Sequence, residues 1–426
     1  MSRTFAGFGL GPIQTGLFLC EAQASGNFSR YVVAEVDERL VSAVRAAGGR
    51  CVLNVARARS IDVVTLEGLE VFNPRVEADR RALVAAVACA DEMATALPSV
   101  AFYESGDECS VAAILAEGLA RRSDEKPVAI YTAENHKQAA QILAGAIGRR
   151  NPRAMRNVQT VNTVIGKMSG VITDPEMISR VGLKTLAPDM PRAVLVEEFN
   201  RILIDSIVLP GFRRGIGVFI EKDDLRPFAE AKLYGHNAVH AVLGYLAHVR
   251  GLTTMAEAGL CAPIMRIARS ALEDESGRAL CLKYGAAGER LFTPAGWKEY
   301  ADDLLSRMVR PTLNDLVSRV TRDHVRKLGY DDRLFGAMRL ALEQGITPVH
   351  LAKGAAAAVM SLVAAGSPVP DLPVPASVDD LSPGRLRQLL RAIWGDRADA
   401  AADTLADLTS DALESLRRNE DSLSGG

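Results

Sequence analysis

The chain has 426 residues, 48% of them hydrophobic, which is enough for two domains with sizeable cores. Its 50 lysines and arginines nearly balance 52 aspartates and glutamates, so no global field draws it to nucleic acid or to an anionic membrane; a small neutral or anionic ligand is the expected partner. Six scattered cysteines without a CxxC pair, an N-terminus lacking a signal-peptide cleavage pattern and no run of about 18 apolar residues argue against a stapled secreted domain or a membrane span, and predict a cytoplasmic protein with reduced thiols.

In chain order, "RTFAGFGLGPIQTGLFLCEAQ" predicts a strand, a tight glycine turn and a helix. "YVVAEVDERLVSAVRAAGG" follows with a β-branched run, Tyr31 to Val36, ahead of a second amphipathic helix. Short apolar runs at "CVLNVA", "VVTLEGL", "ACADEMATAL" and "PVAIYTAEN" alternate with helical patterns at "SVAAILAEGLARR" and "HKQAAQILAGAIGRR", which predicts a mostly parallel, helix-covered sheet. From about residue 195 helical periodicities take over, in "VEEFNRILIDSIV", "PFAEAKLYGHNAVHAVLGYLAHVRG", "GWKEYADDLLSRMV" and "RLFGAMRLALEQG". The expected fold class is an α/β Rossmann-type N-terminal domain (residues 1–195) plus a mainly α-helical C-terminal domain (196–426). A proline-rich connection near 367–384 precedes two short helices, and the final "NEDSLSGG" should fray.

Gly9, Gly11 and Gly16 fall between the first strand and the first helix. Glycine there lets the backbone turn and approach a pyrophosphate, and the helix N-terminus offers free N–H donors. Gln14 occupies the third position of GxGxxG, so the match is imperfect, and a plain structural turn is the competing reading. Glu35, after the second strand, strengthens the case: a carboxylate there bonds a ribose diol and repels a 2′-phosphate, which favours NAD over NADP. Asp37 is an alternative or additional ribose contact.

"KLYGHNAVHA" concentrates proton-handling groups in an apolar, helix-compatible stretch. At about 100° per residue, Lys232, His236, His240 and Asn237 fall at about 0°, 40°, 80° and 140°, so they share one side of a helix and can line a cleft. The plainer reading is a set of solvated polar groups. His236 and His240 stand at i, i+4, but Asn-Ala-Val separates them where a zinc HExxH site needs a Glu, so no metal is expected.

Lys232, Asn237 and His240 reproduce the K-x4-N-x2-H signature of the polyol-specific long-chain dehydrogenase/reductase family, which the chain resembles from about residue 4 to about residue 365. "GFGLGPIQTG", "TAENHKQAA", "VEEFNRILID", "ESGRALCLKYG" and "DRLFGAMRLALEQGITPVHLAKGAAAAV" resemble family segments in the same order, with the mannitol-1-phosphate dehydrogenase branch the nearest in pattern. The resemblance implies metal-free hydride transfer between a polyol and NAD. Lys232 would be the general acid/base, Asn237 would stabilise the alkoxide, and His240 would hold the substrate or orient Lys232. Asn162 in "VNTVIGKM" matches an oxyanion-hole asparagine of mannitol 2-dehydrogenases, and Glu134 and Asn135 match the E-N segment placed beside the cofactor. The chain departs from the family pattern at Gln14, at Gly166 and Lys167, and at the added imidazole of His236; these departures bear on substrate choice.

Mannitol 1-phosphate, interconverted with fructose 6-phosphate, is the first expectation. Arg213 and Arg214 are the candidate phosphate anchor, with His236 beside them as a substrate contact, though paired arginines are commonly a solvated loop. The same arginines would suit a hexuronate, and an unphosphorylated hexitol needs neither. From other classes come a nicotinamide-nucleotide sensor without turnover and an interaction protein built on the proline-rich tail. The site is expected in a cleft between the two domains, at the carboxyl ends of the strands, in a monomer or weak oligomer.

Overall fold

The computed structural model describes residues 3–123, 126–370, 372–397 and 399–423. They form two compact units, Met1–Arg226 and Pro227–Gly426. No helix among the described residues is long and apolar enough to cross a membrane.

The strands of the first unit are β1 (Thr4–Phe8), β2 (Arg30–Ala34), β3 (Cys51–Ala56), β4 (Ile61–Leu66), β5 (Leu69–Phe72), β6 (Glu92–Thr95), β7 (Val128–Thr132), β8 (Val158–Val164), β9 (Ser169–Ile172), β10 (Ala193–Glu197), β11 (Ile202–Asp205) and β12 (Phe219–Lys222). The main sheet has the order β12-β11-β8-β7-β6-β1-β2-β5. From β8 to β5 all neighbours are parallel. The chain therefore builds outward from β1 in one direction and from β6 in the other. This is the Rossmann arrangement, whose topological switch point lies between β1 and β6. Burial on both faces explains the unbroken apolar runs of β1 and β7, each buried at every position. Phe5 joins the core on one face, while Ala6 and Phe8 join the core that helices Glu77–Cys89, Val111–Ala120 and Ala139–Arg150 build on the other.

Two sequence expectations need correction here. "CVLNVA" and the run after it do not extend the parallel sheet. They form an antiparallel hairpin, closed by Arg57 N–H donating to Ser60 O, inside a separate sheet of order β4-β3-β10-β9. "VEEFNRILIDSIV" is not helical: it contributes the end of β10, then β11. Buried Ile202 and Ile204 alternate with less buried Leu203 and Asp205, a period of two that a short apolar run conceals among helical spacings. Because β10, β11 and β12 complete both sheets, the division between units falls at Arg226/Pro227 and not near 195.

The second unit is helical, with only two isolated bridges among its described residues. Helix Ala238–Val249 packs against Val349–Ala364, and the contact is close because a Cβ on Gly354 would lie 2.5 Å from Val242. The tail is docked: Trp394 Nε1 donates to Leu328 O at 3.0 Å and its ring packs against Tyr330 and Phe335. Two helices follow the proline-rich stretch, Pro383–Trp394 and Ala402–Leu423; the second is 22 residues long, and residues 424–426 lie outside the described set.

Candidate functional site

The glycine turn of the first unit leaves no room for a side chain at Gly9 or Gly16. Gly9 adopts φ +86° and donates its N–H to Ala34 O, and a Cβ there would stand 2.9 Å from Ala96 O, so only glycine fits without strain. Around Gly11 the space is open. Gly16 lets the helix approach β10, since a Cβ would sit 2.6 Å from Val196. The Gln14 departure has a local compensation: its buried amide fills the space over Gly7, where a Cβ would collide with it. Glu35 closes the loop by accepting the N–H of Leu10 and of Asp37, both at 2.9 Å. Asp37 caps helix Glu38–Ala46 and pairs with Arg192, which holds its carboxyl below the usual range against the effect of burial.

The other residues singled out in the first unit lie among contacts that hold its secondary structure together. Glu134 is buried and accepts from Thr95 Oγ1, Leu97 N–H and Tyr103 OH; burial pushes its carboxyl up, and these donors offset part of the rise. It thereby braces the chain leaving β6 beside the switch point, with Asn135 next in the bend after β7. Asn162, on β8, accepts from Ala140 N–H at 3.0 Å and donates to Asp205 at 2.8 Å and Gln141 at 3.1 Å. Arg213 offers its carbonyl to Arg3, and Arg214 is paired with Glu221 at 2.5 Å.

In the second unit, Lys232 and Asn237 lie in a widened π segment, Ala231–Asn237, between helical stretches Arg226–Glu230 and Ala238–Val249. This alters the angular argument made from sequence. With i→i+5 geometry a step of five residues is close to one turn, so Asn237 moves towards the line of Lys232 and away from the opposite side. The widening is held by Trp297. Its ring lies against Gly235 and Gly277, where a Cβ would sit 3.0 and 1.9 Å from it, and its Nε1 donates to Leu272 O in a second π segment, Ala271–Gly277.

Burial, then the charge of Arg333, lowers the Lys232 ammonium to about 8. His236 is buried and pushed well below its ordinary value by desolvation, with His240, Arg307, Lys232 and Arg333 adding to the effect, so it is neutral. Its ring centroid lies 6.4 Å from that of His240. The Nε2 of His240 stands 3.3 Å from Asp315 Oδ2, within ion-pair range although not aligned as a hydrogen bond. Arg319 grips the same carboxylate with two bonds of 2.6 Å. Burial raises the Asp315 carboxyl, but His240 and Arg319 overcome that and hold it below the carboxylate range. Lys232, His236, Asn237 and His240 are therefore half-buried or buried groups in a charged enclosure, not a solvated stripe. Sequence reasoning passed over Asp315, Arg319, Arg322, Arg326, Lys327 and Arg333, which surround it; the run "RDHVRK" was the signal for Arg322, Arg326 and Lys327.

The comparisons bear on both units. A family model described as the mannitol dehydrogenase C-terminal domain matches residues 224–364, which include every second-unit site residue named so far. The chain is an oxidoreductase similar, over residues 224–364, to the mannitol dehydrogenase family. A mannitol-1-phosphate 5-dehydrogenase of Exiguobacterium sibiricum is 28% identical over 83% of the chain and 84% of the relative. One from Bacillus velezensis is 32% identical over 58% of the chain and 61% of the relative. The fold is shared with Pseudomonas fluorescens mannitol 2-dehydrogenase, solved as a ternary complex with NAD and D-mannitol: TM-score 0.70 at 14% identity, covering 98% of this chain and 92% of the other. Both the doubly wound sheet and the helical unit thus have counterparts in the fold of that solved structure.

Proposed function

We propose that the protein is an NAD-dependent oxidoreductase that interconverts a polyol and its ketose, with mannitol 1-phosphate and fructose 6-phosphate as the pair, and with Lys232 as general acid/base. The observation that carries the reading is the half-buried Lys232, lowered to about 8 on a π-widened turn that also bears Asn237, in the stretch matching the mannitol dehydrogenase C-terminal domain. A base of that strength exchanges protons near neutrality, as alcohol oxidation requires. The Gly9 turn and the Glu35 brace support a dinucleotide reading: the turn leaves no room for a side chain at Gly9, and a carboxylate following the second strand suits a ribose diol.

The nicotinamide, when bound, supplies the hydride acceptor or donor. The rest is done by the chain. Lys232 Nζ takes the hydroxyl proton during oxidation and returns it during reduction. Asn237 donates its amide N–H to the oxygen as negative charge gathers on it, a contribution worth a few kcal/mol in comparable sites. His240, steadied by Asp315, orients the substrate hydroxyl, and neutral His236 adds an uncharged wall. Asn162 keeps helix Ala139–Arg150 in place rather than serving the oxyanion, because its amide is already engaged by Ala140, Gln141 and Asp205.

The test is loss of NADH absorbance with fructose 6-phosphate, fructose and tagaturonate, beside Lys232→Ala. Turnover of fructose 6-phosphate that falls roughly a hundred- to ten-thousand-fold in the variant is expected. Faster turnover of fructose or tagaturonate would move the substrate, and NADH binding without turnover of any of the three would make the protein a sensor.

A further inference from the structure

A cavity of about 120 Å³ opens beside His240, lined also by Ala241, Val320 and the cations Arg319, Arg322, Arg326, Lys327 and Arg333. Five cationic side chains line this space, three carboxylates, Asp315, Asp323 and Asp332, pair with some of them, and the pairing is uneven. Arg319 is committed to Asp315, and Arg333 donates to Asp332 at 2.7 Å. Arg326 reaches Asp323 and Asp332 only at 3.4 Å each. Among the described residues, Arg322 pairs with no carboxylate. Neither does Lys327, although it is only 4% exposed: its Nζ donates to the carbonyls of Val320, at 2.7 Å, and Arg322. An ammonium has three donors, so one remains.

Gathering like charges around a buried amine raises the energy of the folded chain unless something neutralises them. The cost is visible in Lys327, which burial, then Arg333 and Arg326, lowers to about 7. An anion in the cavity relieves this arrangement, and the surplus of about two positive charges suits a dianion better than a carboxylate.

We propose that this cavity seats the phosphate of a phosphorylated substrate, with Arg322 and Arg326 as its principal ligands and Lys327 as a third donor from the cavity floor. The assignment rests on the polyol reading above, since it takes His240 to be the point where the sugar chain enters the cavity. It replaces Arg213 and Arg214 as the anchor: Arg214 is already paired with Glu221. Phosphate oxygens match the forked donors of an arginine, and the loose bonds of Arg326 are easily given up.

The experiment uses the full chain with Arg322→Ala and Arg326→Ala combined, both exposed positions whose loss leaves packing intact. Three readings are taken: kcat and KM for fructose 6-phosphate, fructose and tagaturonate; KM for NADH; and thermal stabilisation by inorganic phosphate. The preference for fructose 6-phosphate over fructose should fall by about a hundredfold, roughly tenfold for each charged hydrogen bond lost, mainly through KM. Inorganic phosphate should raise the Tm of the parent protein and not that of the variant. An unchanged preference, an equal loss for both ketoses, a selective loss of tagaturonate or a raised KM for NADH alone would each overturn the assignment. If the parent protein reduces none of the three compounds, the polyol reading fails by itself, and the phosphate-dependent Tm shift still decides whether the cavity is an anion site.

Discussion

The glycine turn of the first unit and the cationic enclosure of the second are made of different materials. The turn consists of backbone: Gly9 in a left-handed conformation, Leu10 N–H held by Glu35, and open space around Gly11. The enclosure consists of side chains drawn from residues 232–240 and 315–333, with charge packed against charge. A backbone site is local in sequence and electrostatically quiet. A side-chain site is dispersed, and its burial shifts the proton affinities of the groups that form it.

The sharpest test of the contrast is pH. Because Lys232 is lowered to about 8, alcohol oxidation needs it neutral and should rise roughly tenfold per pH unit up to about 8, then level off. That is roughly a hundredfold between pH 6 and pH 8. Ketose reduction needs the ammonium and should hold steady below about 8 and fall above it. Profiles of kcat/KM in both directions, recorded across this range, check the sign. A flat oxidation profile with chemistry rate-limiting would mean that Lys232 does not carry the proton.

A smaller effect is expected in the backbone site. Gly9→Val forces a branched side chain into φ +86° and against Ala96 O, and should weaken NADH binding roughly ten- to hundredfold, by strain of the size such positions store. Fluorescence titration reads the affinity, and far-UV circular dichroism shows whether the sheet has survived. Unchanged affinity in a folded variant would detach the turn from the cofactor.

The two sites also differ in how far they could be read from sequence. The glycine spacing and Glu35 lie within a single βαβ passage, so local pattern was enough. Lys232, Asn237 and His240 were visible as a motif, but their α-helical angles were misleading, because the segment is π-wound where Trp297, some 60 residues onward, packs against Gly235. Asp315 was invisible and Lys327 showed only as part of a basic run, because nothing nearby in sequence says that one will face His240 and the other a cavity. Likewise, β11 looked helical because four residues show too little of their period.

Glu275 tests whether the side-chain site carries its cost into stability. It lies in the second π segment and accepts the N–H groups of His350 and Leu351, at 2.7 and 2.8 Å, where helix Val349–Ala364 begins. That helix packs against the one bearing His240. Two backbone donors would ordinarily hold a carboxylate ionised, yet desolvation prevails and raises Glu275 from 4.5 to about 7. The folded chain therefore binds a proton that the unfolded chain releases above about 4.5. The stability from this group is fully present below that value and is lost as pH rises through about 7. Glu275→Gln keeps an acceptor for the helix and cannot ionise, so its Tm relative to the parent protein should improve between pH 5 and pH 8 by a few degrees. A difference in Tm that stays constant over that range would show that the helix N-terminus compensates the buried charge in full, and that the second unit holds its ionised groups as cheaply as the first holds its loop.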